Sequence, residues 1–157
     1  MNRVKHLLLL TIPLVLVAVP DLAEAKPGKI FFTTDQIKDR ACKALKKQFA
    51  KSKPSIELKR NKDKSWDVIM VGMFRKKSYP GPITMWFYDK SDKAAMKRGE
   101  VVHVESIDKK PTKCLVHNLL IDPSRGFNKN RTYVIKIGQI LGKRNSVYAA
   151  GEVSLKP

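Results

Sequence analysis

From Pro54 onward the chain is a succession of short apolar or alternating runs divided by turn residues, and none has the length or period of a long helix. Residues 55–60 alternate Ile56 and Leu58 with polar neighbours, and 66–74 (WDVIMVGMF) and 83–88 (ITMWFY) are mostly apolar. Residues 101–107, 113–121, 132–141 and 147–155 complete the series, and Asn61-Lys62-Asp63-Lys64 and Tyr79-Pro80-Gly81-Pro82 are turn material. A period of two puts alternate side chains on opposite faces of a strand, and β-branched and aromatic residues suit that pleated surface. About seven consecutive short strands joined by short turns predict antiparallel pairing in a sandwich or barrel.

The segment before Pro54 differs. Residues 29–33 (KIFFT) form a short strand candidate. Ile37, Ala41, Leu45 and Phe49 then recur every fourth position, the apolar stripe of one amphipathic helix. Thr34 is the expected N-cap and Asp35 sits where the helix dipole favours a carboxylate, so the helix is placed at about residues 34–52. Its outer face is cationic: Lys38, Arg40, Lys43, Lys46, Lys47 and Lys51. Residues 91–98 offer one or two further helical turns, with Ser91 as cap.

The last third carries a resemblance. Leu119-Leu120-Ile121-Asp122-Pro123, a loop, then Arg131-Thr132-Tyr133-Val134-Ile135-Lys136-Ile137 resembles the end of fibronectin type III and other immunoglobulin-like sandwiches. The resemblance spans about 40 residues and implies that the Tyr133 hydroxyl bonds back to the backbone of its corner. It implies an immunoglobulin-like β-sandwich preceded by a helix foreign to that family. Such sandwiches host many activities, so the resemblance assigns none.

Residues 1–25 read as a cleavable secretory signal. Arg3 and Lys5 precede an apolar run from Leu7 to Val19, and Ala23-Glu24-Ala25 supplies the small residues at a cleavage site. A helix of that run spans about 20 Å, short of a hydrocarbon core of about 30 Å. No later run approaches the length of a spanning helix, so the processed chain, residues 26–157, is expected to be one secreted or periplasmic domain without a transmembrane segment. Cys42 and Cys114 are the only cysteines, and an oxidising compartment would pair them. Two separate thiols are the alternative. The bond would staple helix to sheet, and closing a loop of about 70 residues is worth about 4 kcal/mol.

The full chain has 32 Lys and Arg against 14 Asp and Glu, a net charge of +18. Removing residues 1–25 takes Arg3 and Lys5 with Asp21 and Glu24, so the charge persists. Beyond the helix, cations gather in the turns Arg75-Lys76-Lys77, Lys109-Lys110 and Lys143-Arg144. A field of this strength attracts polyanions. For an exported chain these are lipid phosphates, anionic polysaccharide or acidic partner proteins of the envelope, and no specific nucleic acid.

Two histidines remain outside the signal. A hairpin pairing residue 107 with 113 would set His103 opposite His117, with Glu105 on the same face and Val102, Val104, Cys114 and Val116 on the core face. Two imidazoles and a carboxylate are a donor set for a metal. The plain alternative is a pair of ordinary sheet histidines. No nucleophile elbow, H-E-x-x-H or phosphate-binding glycine loop is present, and no cofactor is implied. The reading is a non-enzymatic exported binding or structural protein with a basic surface. The alternatives are a metal-dependent extracytoplasmic enzyme using His103, His117 and Glu105, and a subunit of an envelope complex or surface appendage.

Overall fold

The computed structural model describes residues 26–157, and the expected signal sequence lies outside the described residues. Strands β1 (Gly28–Thr33), β2 (Ser55–Leu58), β3 (Trp66–Met73) and β4 (Gly81–Asp89) lead to β5 (His103–Lys109), β6 (Cys114–Ile121), β7 (Arg131–Leu141) and β8 (Arg144–Leu155). Helices α1 (Cys42–Gln48) and α2 (Lys93–Arg98) and a 3-10 turn at Pro123–Arg125 are the helical elements among the described residues. None of these helices is long and apolar enough to cross a membrane.

The chain is mainly β, as its patterning predicts, but the strands make one curled sheet instead of two packed ones. The order is β5-β4-β7-β8-β1-β3-β6. Most pairs are antiparallel. On its side away from β7, β8 runs parallel to β1 at Ala149 and Ala150 and then parallel to β2 from Glu152 to Leu155, so the sheet is mixed. Curling brings the outer strands β5 and β6 toward each other, and the sheet forms a half-barrel around its own core.

That core follows the period of two. Trp66, Val68 and Met70 of β3, Ile83, Met85 and Phe87 of β4 and Leu115, Leu119 and Ile121 of β6 all point into it. Phe127 plugs one end, its ring edge-on to Phe87 at 5.4 Å and to Tyr133 at 5.0 Å. The Tyr133 hydroxyl accepts the Asn128 N–H at 2.8 Å, the corner contact that the resemblance implies.

A second, smaller cluster explains why β3 reads as nearly continuous apolar sequence. Its outward residues Val71 and Met73 are covered by Phe31, Ile37, Leu45 and Phe49. Strand β3 is thus buried on both faces, inside by the half-barrel and outside by α1. The Cys42–Cys114 disulfide fixes α1 there, with 5.6 Å between the Cα atoms.

Helix α1 is shorter than the expected 34–52. Its N-cap is Ala41, without a side-chain cap, and Thr34 lies outside it. Local turns compete with the helix: Thr33 Oγ1 accepts the Asp35 N–H, and Asp39 Oδ1 accepts the Ala41 N–H. Ile37 still reaches the small cluster, from non-helical backbone. In α2 the cap is Asp92, whose carboxylate accepts the Ala95 N–H, and not Ser91.

The expected hairpin between β5 and β6 does not form. Strand β5 pairs with β4, so that His103 faces Phe87, and β6 pairs with β3, so that His117 faces Met70. The expected core face is met only in part: Val102 packs against the main core. Val104 is exposed, whereas Leu115, Leu119 and Ile121, in phase with His117, point into the half-barrel core. Cys114 and Val116 lie on the outer face, under α1.

Candidate functional site

Strand directions decide where the charged turns go. The β3–β4 loop, the β5–β6 connection, the β7–β8 hairpin and the start of β1 all fall at one end of the half-barrel, because Met73 pairs with Lys29 and Cys114, Gly81 with Lys109, and Thr84 with Gly138. This rim therefore collects Arg75, Lys76 and Lys77, then Lys109, Lys110 and Lys113, then Lys143 and Arg144, with Lys26 beside them. Asp108, opposite Pro82, is the acid of the adjoining strand ends.

Helix α1 lies against the same rim. Lys46 and Arg75 line one cleft of about 430 Å³ together with Lys29, Phe31 and Phe49. Arg75 continues into a second cleft of about 330 Å³, where Lys26, Lys76 and Lys136 surround Tyr148. The Lys76 ammonium stands 5.8 Å from the centre of the Tyr148 ring, and Lys136 stands 4.8 Å from that of Tyr88. Such contacts draw the ammonium head itself toward the electron-rich face of the ring. Arg40 lines a third cleft with Lys109 and Lys110. Lys43, Lys47 and Lys51 are exposed on α1 and just beyond it, and Lys38 is exposed in the preceding loop, where none of these clefts includes it.

Among the described residues none of the rim cations takes part in an ion pair, as is true of most lysines and arginines there, and what sets the rim apart is their gathering at one end. The ion pairs run along the wall or at the opposite end, as Lys90–Glu152, Arg98–Glu100, Arg131–Asp89 and Lys156–Glu57, and as Arg125 with Asp122 and Glu105. The acids there are also held ionised locally. The Ser124 hydroxyl bonded to Asp122 and the Ser65 hydroxyl bonded to Asp63 keep both carboxyls below the usual range.

The rim is held in shape by Gln139, which is 2% exposed. Its Oε1 accepts the Tyr79 N–H at 3.0 Å and the Tyr148 hydroxyl at 2.7 Å. Its Nε2 donates to the carbonyls of Tyr79 at 3.1 Å and Gly81 at 3.2 Å. One buried amide thus uses its whole hydrogen-bonding capacity to clamp the β3–β4 loop to the base of the β7–β8 hairpin. Beside it a bulge leaves Tyr148 of β8 unpaired opposite the Ile137–Gly138 step of β7, and a Cβ on Gly138 would lie 2.1 Å from the Ser146 carbonyl oxygen.

The histidine candidates meet only in part. His117 Nε2 and Glu105 Oε1 are 2.9 Å apart across the seam between β6 and β5, and Arg125 approaches the other Glu105 oxygen at 3.9 Å. His103 instead packs against Phe87 and Phe127, ring centres 5.5 and 5.8 Å away, and its Nε2 is buried without a hydrogen-bond partner among the described residues. No group of three or more His, Cys, Asp or Glu side chains placed to hold a metal ion occurs among the described residues.

Sequence reading finds the turn cations and the helix cations but not that they share a rim, and it misses Lys26, Lys29, Lys113, Lys136 and Gln139. Nothing local marks these five, because their role comes from strand order. No family model matches the chain, and neither a curated protein nor a solved structure does.

Proposed function

We propose that this chain is an exported, non-enzymatic binding protein whose basic rim engages anionic components of the cell envelope. The observation that carries the proposal is the gathering of cations from four separate chain segments and α1 at one end, with none of them in an ion pair among the described residues. Cations left unpaired in a cluster repel one another, and a polyanion relieves that repulsion while releasing its own counterions. Clefts lined by lysine and arginine suit phosphate or sulfate groups, with the buried Tyr148 ring forming the floor beneath Lys76.

The test is retention of the processed protein on anionic vesicles and on an anionic polysaccharide as salt is raised. Binding at low salt that falls as the Debye length shrinks supports the proposal, and absence of binding or insensitivity to salt refutes it. Reversal of Lys43, Lys46 and Lys47 to Glu weakens binding without unfolding the domain.

A second reading, assembly into an envelope complex or appendage, draws on the sheet. Strands β5 and β6 end it, and their free edges face each other across the seam that Glu105 and His117 bridge, so a strand from another chain would enter that seam. Such edges accept a strand from another chain, and crosslinking in the native envelope distinguishes this from a free monomer. The immunoglobulin-like kinship stays within the proposal, supported by the Tyr133 corner.

A further inference from the structure

The β7–β8 hairpin outreaches the half-barrel that carries it. Its tip closes in a two-residue turn, Leu141 opposite Arg144, with Gly142 in the left-handed region at φ 62°. Ile140 and Leu141 at this tip are 61% and 41% exposed, and Tyr79, clamped beside them by Gln139, is 52% exposed. These three are half of the exposed large apolar side chains of the described residues; Ile140 and Leu141 stand on opposite faces of the hairpin end, and Tyr79 is held at its base through Gln139. Lys143 and Arg144 flank them at the turn and Arg75, Lys76 and Lys77 on the neighbouring loop, and no acid lies between residues 75 and 81 or between 138 and 147.

We infer that this tip inserts into the headgroup and upper acyl region of an anionic phospholipid bilayer. The inference rests on the proposed basic-surface function and narrows its ligand from polyanions to a membrane. A soluble polyanion neutralises the cations but offers no apolar phase to Ile140 and Leu141, whereas a bilayer takes both kinds of group at adjacent depths. Tyrosine with its polar tip is suited to the boundary itself.

The experiment compares equimolar phosphatidylglycerol–phosphatidylcholine vesicles with dextran sulfate, which has charge and no bilayer. The Ile140→Ser, Leu141→Ser double variant removes side chains outside both core clusters, so its melting temperature should match that of the parent. Loss of even part of the insertion of these two side chains weakens vesicle affinity by about tenfold or more, while dextran sulfate affinity stays within about twofold, because the charges are unchanged. Separately, Ile140→Trp places a reporter at the tip, and its emission is quenched by brominated acyl chains in the same vesicles, whereas the native Trp66 and Trp86, 0% and 5% exposed, are not.

Unchanged vesicle affinity of the double variant, or no quenching at position 140, overturns the insertion. Binding to dextran sulfate but not to vesicles also overturns it and leaves the basic-surface function standing. Failure of the parent to bind either probe removes both.

Discussion

Substituting Gln139 by Leu keeps the volume of the side chain and deletes its four hydrogen bonds at once. The Tyr148 hydroxyl, in a residue 2% exposed, is then left buried and unpaired, which costs about 1–3 kcal/mol. The bonds of the Tyr79 N–H and the two carbonyls are only partly buried, so each loses only about 0.5 kcal/mol, the low end for a net hydrogen bond. The total is about 2.5–4.5 kcal/mol. Chemical denaturation should show a lower midpoint at constant slope, and the Tyr79 amide should exchange its hydrogen faster because its acceptor is gone. Tyr148→Phe, which deletes one of the four bonds, should cost about 1 kcal/mol and leave Tyr79 protected. Stability of Gln139→Leu within about 0.5 kcal/mol of the parent, with Tyr79 exchange unchanged, would refute the clamp, since surface substitutions stay in that range.

Two further outcomes follow from the fold. Replacing Cys42 and Cys114 by Ser opens a loop of 72 residues and should destabilise the domain by about 4 kcal/mol, read as the difference between denaturation curves of parent and variant. The parent in reductant should converge on the variant, and equal stability of all three would contradict a structural bond. Burial raises the phenols of Tyr88 and Tyr133 above the ordinary value of 10.0, so the folded form holds these protons longer than the unfolded chain. Their contribution to stability is complete below pH 10.0 and is lost as pH rises from there through the raised folded values, which phenolate absorbance alongside unfolding monitors directly.

The strands were legible because burial on one face imposes a period of two, and β3, buried on both faces, shows it as a continuous apolar run. The disulfide is legible from the presence of just two cysteines, which an oxidising compartment would pair. The stripe predicts too long a helix because Ile37 keeps the fourth-residue spacing of Leu45 and Phe49 while reaching the same cluster from a loop. The β5–β6 connection looked like a hairpin because it is short. It is short because the sheet curls, bringing together two edges that are the farthest apart in strand order. That same curl lets Glu105 meet His117, although the pairing expected to join His103 to His117 never forms. The cations were countable, but which end each occupies depends on strand direction, a long-range property that no local pattern carries.

The most direct test of the basic rim holds net charge fixed and changes only its place. One variant neutralises Arg75, Lys76, Lys143 and Arg144 to Gln, and the control neutralises Lys62, Lys93, Lys97 and Lys129, which lie away from the rim and outside the ion pairs of the described residues. At about 1 kcal/mol per cation near an anionic membrane surface, the rim variant should lose about 4 kcal/mol of vesicle binding, roughly a thousandfold, and the control only a small fraction of that. Equal losses from the two variants would contradict a binding rim and leave a charge spread without purpose over the whole surface.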